Sequence, residues 1–295
     1  MRSKAEQSST FMEIIETIEE MQKRCEGLRL SGQTISLAPT MGFFHEGHLE
    51  LMRAGKQHSD KLIISIFVNP LQFGLNEDFE EYPRDMDGDL SKAREVGVDI
   101  VFMPSPEEVY PDGFQTNVTV EKLTKHLCGL SRPGHFDGVT TVIAKFFNII
   151  RPHLAIFGQK DYQQLTVISR MVRDLNFDIQ IIGVPIMREA DGLAMSSRNN
   201  YLSHEQRKSA LSLKKSFDMA NKMFSHGEKS SAKIKKSVEK LILSHPHTEI
   251  DYIKICHPVT LDEIESVDGE SLLALAAKVG KTRLIDNCLI GKASG

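Results

Sequence analysis

Two histidines, His45 and His48, stand where the chain turns from strand into helix, and their types and spacing suit chemistry on an anion. The stretch Thr34–Leu51 reads T-I-S-L-A-P-T-M-G-F-F-H-E-G-H-L-E-L. An apolar run with Ile35 and Leu37 leads to Pro39 and Gly42, the histidines flank Gly47, and Leu49, Leu51 and Met52 follow at amphipathic spacing. This pattern predicts a strand, a tight turn and a helix opening near Glu46. The unpaired N–H groups and positive dipole end of that helix face the carboxyl edge of the strand, where anions settle. His45 and His48 lie about one helical turn apart on one side of the opening. They suit phosphate better than metal, because no third ligand follows at metal-like spacing. An H-x-x-H pair also recurs by chance, so the rest of the chain must decide.

The elements that position this pair come from a chain of 295 residues, enough for two domains or one large one with an appendage. At 40 % hydrophobic it can build a substantial core, and a net charge of −4 gives no global reason to expect nucleic acid. The four cysteines, Cys25, Cys128, Cys256 and Cys288, are scattered without a C-x-x-C pair, the usage of reduced thiols in a cytosol. No apolar stretch follows the basic N-terminal residues or reaches the length of a membrane span, so the expectation is a protein neither secreted nor membrane-embedded.

Residues 1–10 are polar and expected to fray. Ile14, Ile15, Ile18 and Met21 recur at helical spacing and predict a helix from Phe11, ended by Gly27 and Gly32. Lys61–Val68 reads as a strand buried on both faces, N-P-L-Q-F-G as a loop, the segment to Val96 as a helix, and V-D-I-V-F-M-P as a strand. Residues 105–138 read as loop with a short strand at N-V-T-V, and S-R-P-G-H-F-D-G is too rich in turn formers for a core element. Helix at Val139–Ile150, strand at His153–Phe157, helix at Asp161–Asp174 and strand at Asp178–Met187 complete an alternation. It predicts an α/β fold, a Rossmann-like doubly wound parallel sheet with ligands beyond the carboxyl ends of its strands. Beyond Met187, two Lys-rich helices broken near Gly227, an extended I-D-Y-I-K-I, a helix-like L-D-E-I and two further strands predict a second, smaller α+β C-terminal domain. The division is 1–186 and 187–295. The Lys-rich helices lack interleaved aromatics and read as a solvated face.

The P-T-M-G-x-x-H-x-G-H pattern at 39–48 resembles the ATP-binding signature of the nucleotidyltransferase superfamily, which includes class I aminoacyl-tRNA synthetases. F-V-N-P-x-Q-F at 67–73, G-Q-K-D-Y-Q-Q-L at 158–165 and A-M-S-S-R-N at 194–199 narrow it, in the same order, to the pantothenate synthetases, the pantoate–β-alanine ligases of that superfamily. E-Y-P-R at 81–84, R-P-G-H-F-D-G-V at 132–139 and T-R-L-I-D-N at 282–287 extend the likeness over nearly the whole chain from Ile35. Phe43-Phe44 departs from the smaller Ala-Leu common there, and Gly88 stands where some relatives carry aspartate.

The resemblance implies condensation of pantoate with β-alanine to pantothenate, a coenzyme A precursor, through a pantoyl adenylate, with ATP cleaved to AMP and pyrophosphate. It implies a cytoplasmic homodimer acting on small molecules, with no nucleic acid or membrane partner. His45 and His48 are expected to bind phosphates, Lys160 to meet the charge of the five-coordinate α-phosphorus, and Ser196, Ser197 and Arg198 to close over pyrophosphate at the domain junction. Pro39, Thr40, Met41, Gly47, Gly158, Gln159, Asp161, Met187 and Met195 complete the expected ATP site, with Gly47 letting the backbone approach the nucleotide and Gly158 leaving room for the sugar. Gln72 and Gln164 are the expected pantoate ligands, amides that hold a carboxylate and hydroxyls without a competing charge. Asn69 is expected to help bind the second substrate or the reacting groups, and Arg132 and His135 to flank the same pocket. Mg2+ is expected to travel with ATP, held mostly by phosphates and water, with Asp89 as its outer protein contact. A transferase adding AMP or CMP to a phosphorylated small molecule would show the same histidine and S-S-R signals. The paired glutamines and the R-P-G-H-F loop favour the ligase. A regulatory nucleotide-binding module would not need His45, His48, Lys160 and Arg198 together.

Overall fold

The computed structural model describes residues 12–74 and 79–291; residues 1–10, expected to fray, lie outside them. Among the described residues, six strands form a parallel sheet: β1 (Glu13–Ile15), β2 (Ile35–Thr40), β3 (Lys61–Ile66), β4 (Ile100–Phe102), β5 (Leu154–Gly158) and β6 (Gln180–Val184). Their spatial order is β1-β4-β3-β2-β5-β6, so the direction of winding reverses beside β2. Strand periodicity divides the apolar residues between two layers. On β3, Ile63 joins the core under helices α1 (Ile18–Leu30), α6 (His135–Ile150) and α7 (Tyr162–Asp174). Leu62, Ile64 and Ile66 join the core under α2 (Glu46–His58) and α3 (Met86–Val96). Two short helices, α4 (Pro106–Val109) and α5 (Leu127–Ser131), lie on the connection from β4 to α6.

The second unit is an antiparallel sheet of β7 (Thr248–Cys256), β8 (Ser271–Val279) and β9 (Thr282–Ile290), backed by α8 (His204–Ser225) and α9 (Ser231–Leu243). Strand β8 lacks polar alternation because both of its faces are covered. Leu273, Leu275 and Ala277 pack with the helices, while Leu272 and Ala274 join the core of the first unit.

Four local readings are corrected. Residues 13–15 form strand β1 beside β4, because Thr17 caps a new helix by accepting from the Glu20 N–H and splits the apolar run. That helix runs through Gly27 to Leu30. N-V-T-V joins no ladder; the Val118 N–H and C=O pair with the Thr141 and Thr140 hydroxyls. Helix α6 begins at His135, inside the turn-rich segment, and residues 261–264 form a bridge from Glu263 to Cys256 instead of a helix.

Candidate active site

The turn after β2 brings its backbone to the carboxyl edge of the sheet and aims helix α2 at it. Gly42 has φ +84° and Phe43 φ +53°, and His45 is the N-cap of α2. The Gly47 N–H donates to His45 Nδ1 at 3.1 Å, and the His45 N–H donates to His48 Nδ1 at 3.3 Å. Main-chain N–H groups only donate, so both imidazoles accept at Nδ1 and carry their proton at Nε2. Burial, with Lys160 next, lowers the His45 pKa to about 4; burial, with His45 next, holds His48 well below its usual value. The rings lie 4.1 Å apart, two neutral N–H donors over a helix N-terminus. At Gly47 an added Cβ would lie 2.9 Å from His45 Cε1, so glycine gives the capping ring its room.

Two residues of α3 brace this turn from outside. Asp89 accepts the Phe43 and Phe44 N–H groups at 2.6 Å each, and Lys92 donates to the Phe44 carbonyl at 2.8 Å. Asp89, the expected outer contact of magnesium, is 1 % exposed and holds backbone with both of its oxygens. Among the described residues no group of three His, Cys, Asp or Glu could hold a metal ion. Gly88 belongs to the cap of α3, where a Cβ would lie 2.1 Å from Asp85 Oδ2.

Lys160 and Asp161 sit on a single 3-10 turn (Gln159–Asp161) between β5 and α7. From there the Lys160 ammonium is close enough to depress the pKa of both histidines. Gly158 leaves open space, with Leu51 Cδ2 the nearest atom to an added Cβ at 3.9 Å. The Gln159 side-chain amide donates to the Gly183 carbonyl at 3.4 Å.

Pro39, Thr40, Met41 and Phe67, at the ends of β2 and β3, and Val139, Val142, Ile143 and Phe146, on α6, wall a cavity of about 240 Å³. Gln72 and Gln164 both line it. Gln72 closes a 3-10 turn (Pro70–Gln72) laid against α6, and a Cβ at Gly138 would meet the Leu71 carbonyl at 2.3 Å, so only glycine permits the approach. Asn69 is 1 % exposed. Its amide accepts from Tyr110 at 2.7 Å and donates to the Gly138 carbonyl at 3.0 Å and to Gln72 Oε1 at 3.2 Å. It lines the same cavity beside Gln72. Arg132 and His135 meet the Gln72 carbonyl, at 3.3 and 2.8 Å, and line an adjoining cleft of about 970 Å³ between the two units. Lys160, Asp161, Gln164, Ser196 and Arg198 line both spaces.

The fourth wall is a hairpin-like segment bridged between Arg188 and Ala194, with the Met195 N–H bound to the Met187 carbonyl. Met187, Met195, Ser196, Ser197 and Arg198 from this segment and its continuation line the same cavity as His45, Gly47 and His48. Ser196 Oγ accepts from the Arg198 N–H at 3.3 Å, which leaves its hydroxyl proton free to turn to a ligand.

The sequence reading missed the residues that tie these walls together. Asn287 on β9 donates to the Gln159 and Lys160 carbonyls at 3.0 and 2.9 Å, and the preceding Asp286 holds Arg188 through two hydrogen bonds at 2.7 and 3.0 Å. One dipeptide of the second unit thus grips both segments that handle phosphate in the expected site. The acid–amide pair Asp286-Asn287 in the middle of the strand T-R-L-I-D-N-C-L-I was the available signal; Lys92 and Tyr110 carried none.

A family model described as pantoate-beta-alanine ligase matches residues 13–289. The pantothenate synthetase of Syntrophus aciditrophicus (strain SB) is 57 % identical over 281 residues, covering 95 % of this chain and 98 % of the relative. That of Geobacter sulfurreducens (strain ATCC 51573 / DSM 12127 / PCA) is 53 % identical, with 95 % and 99 % covered. The crystal structure of pantothenate synthetase from Thermus thermophilus superposes with a TM-score of 0.88 at 41 % identity, covering 94 % of this chain and 99 % of that one. The Francisella tularensis pantoate-beta-alanine ligase, crystallised with beta-gamma ATP and beta-alanine, gives 0.77 at 31 % identity, with 95 % and 98 % covered.

Proposed function

The chain belongs to the pantoate-beta-alanine ligase family, and from that premise we propose how its residues divide the work of joining pantoate to β-alanine with ATP. A carboxylate is a poor acylating agent. A pantoate carboxylate oxygen therefore attacks the α-phosphorus of ATP, the bond to the bridging oxygen breaks, and pyrophosphate leaves. The β-alanine amine then attacks the acyl carbon of the pantoyl adenylate, loses a proton, and AMP departs with the electron pair of the broken C–O bond of the mixed anhydride. Little covalent chemistry falls to the protein, which positions the reactants and meets developing charge.

The observation that carries this reading is the convergence of unlike donors on one small cavity. Neutral His45 and His48 direct Nε2–H groups at phosphate oxygens without having to lose a proton first, and Lys160 supplies the full positive charge. Ser196, Ser197 and Arg198 take the leaving pyrophosphate from the other side. Gln72 and Gln164 hold the pantoate carboxylate and hydroxyls, and the α6 wall takes its branched hydrocarbon body. Asp161 takes ribose hydroxyls. Arg132 and His135 act on pantoate through the main chain of Gln72, and they border the cleft by which β-alanine enters.

Magnesium enters with ATP on phosphate oxygens and water, and no step is assigned to a protein-held ion. The division into 1–186 and 187–295, with the second unit as a lid, belongs to the same proposal and is supported by the grip of Asp286 and Asn287 on both phosphate-handling segments. So do the homodimer implied by the resemblance and a reducing, cytoplasmic setting, with four free thiols in support.

Pyrophosphate exchange tests the reading. Labelled pyrophosphate must enter ATP when pantoate and magnesium are present and β-alanine is absent, because the amine acts only in the second step. Exchange that appears only after β-alanine is added would mean a concerted three-substrate reaction, and exchange indifferent to pantoate would mean a different acceptor.

A further inference from the structure

Tyr110 belongs to none of the motifs, yet its phenol ends on the amide that holds Gln72. The residue follows α4 and is half-buried, with its ring packed against Phe67 and Phe114 at centroid distances of 6.3 and 5.0 Å. Burial pushes its hydroxyl far above the usual phenol range, so it keeps its proton and can donate. It does so to Asn69 Oδ1 at 2.7 Å.

The polarity of the chain that follows is set by main-chain groups, which cannot exchange donor and acceptor roles. The Leu71 N–H donates to Asn69 Oδ1 at 3.4 Å, and the Gly138 carbonyl accepts from Asn69 Nδ2 at 3.0 Å. The second hydrogen on Asn69 Nδ2 then meets Gln72 Oε1 at 3.2 Å. With its oxygen so engaged, Gln72 turns its NH2 toward Met41 Sδ, at 3.1 Å, on the wall of the cavity. A thioether is a weak acceptor that an incoming oxygen readily replaces.

We propose that Tyr110 is a positioning residue of the acid-substrate pocket: through Asn69 it keeps the NH2 end of the Gln72 amide toward the cavity, so the pocket selects ligand oxygens. The proposal rests on the reading that Gln72 binds pantoate. Without the phenol, the Leu71 N–H and the Gly138 carbonyl still fix which end of the Asn69 amide donates, but its oxygen keeps only the long Leu71 contact. The amide is then held less firmly, its N–H to Gln72 Oε1 is made only part of the time, and the Gln72 amide turns its carbonyl to the ligand for the rest. Apparent affinity falls in proportion to the competent fraction.

The test is Tyr110→Phe in the full chain, alone and with Gln72→Ala, read by pantoate-dependent pyrophosphate exchange with thermal melting as the check on folding. The single variant is expected to raise the KM for pantoate roughly three- to tenfold while kcat and the KM for ATP stay unchanged. In the Gln72→Ala background the same change is expected to be silent. An equal rise in both backgrounds, an unchanged pantoate KM, or a fall in kcat alone would each overturn it. Gln72→Ala separates the two levels: if it leaves the pantoate KM unchanged, the underlying reading of Gln72 fails and takes the proposal with it. If it raises KM while Tyr110→Phe is silent, Tyr110 alone is wrong. Should Tyr110→Phe melt well below the parent, Asn69→Asp cuts the next link: Oδ1 still accepts from Tyr110 and Leu71, while the N–H groups to Gln72 Oε1 and the Gly138 carbonyl are lost. It must raise the pantoate KM in the parent and be silent without Gln72; any other result overturns the proposal.

Discussion

Asp89→Ala distinguishes a carboxylate that shapes a turn from one that serves a metal. Each Asp89 oxygen accepts a backbone N–H at 2.6 Å from a turn in which Phe43 holds φ +53°. Hydrogen bonds to a charged acceptor contribute roughly 1.5–3 kcal/mol each, so the pair contributes about 3–6 kcal/mol. Burial works the other way, lifting the Asp89 pKa above its ordinary value, and alanine recovers that part. A net loss of about 2–4 kcal/mol remains, or roughly 5–12 °C in melting temperature. Because a left-handed conformation strains a residue with a side chain, the released turn relaxes and carries the His45 cap with it. Exchange turnover should therefore fall together with stability, while the magnesium concentration giving half-maximal rate stays the same. Thermal melting and a magnesium titration of exchange measure both. A variant that melts within about 1 °C of the parent, or one whose activity returns when magnesium is raised, would refute the account of Asp89 as a brace.

Asn287→Ala removes two hydrogen bonds to the Gln159 and Lys160 carbonyls. Roughly 1–3 kcal/mol of lost positioning should lower exchange kcat about tenfold with the pantoate KM unchanged, and a kcat within twofold of the parent would end the idea that the second unit holds Lys160. The histidines set a pH response. An unfolded histidine takes a proton near pH 6.5, whereas folded His45 does so near 4 and burial holds His48 well below its usual value, so their contribution to stability is complete above about 6.5 and is lost as pH falls toward 4. Denaturant midpoints at pH 5 and 7.5 should differ less in His45→Gln than in the parent. The kcat/KM for ATP should show no limb near 6.5 that this substitution abolishes.

Local chemistry made much of the fold legible. The run from Ile35 through Gly42 to Leu51 carries strand, turn and helix in its own periodicity and turn residues, and β2 and α2 stand where that pattern puts them. Segments whose form depends on distant partners were misread. R-P-G-H-F-D-G looks like a loop until Gly138 is seen to lie against the Leu71 carbonyl, which makes it the opening of α6. Ile14, Ile15 and Ile18 fit a helix until the edge of β4 claims residues 13–15.

Residue types and short-range spacing were enough to establish the alternation of strands and helices and the two imidazoles at the sheet edge, and the family resemblance of the separated motifs added an ammonium, a guanidinium, hydroxyls and amides. What each group presents to a ligand is settled by the folded chain. Main-chain N–H groups two or three residues away make both histidines Nε2 donors only once the turn is bent by Asp89, Tyr110 orients Gln72 through Asn69, and β9 reaches back to hold Lys160. Protonation and amide orientation depend on burial and on partners from 41 to 127 residues away along the chain, distances over which no local pattern carries information.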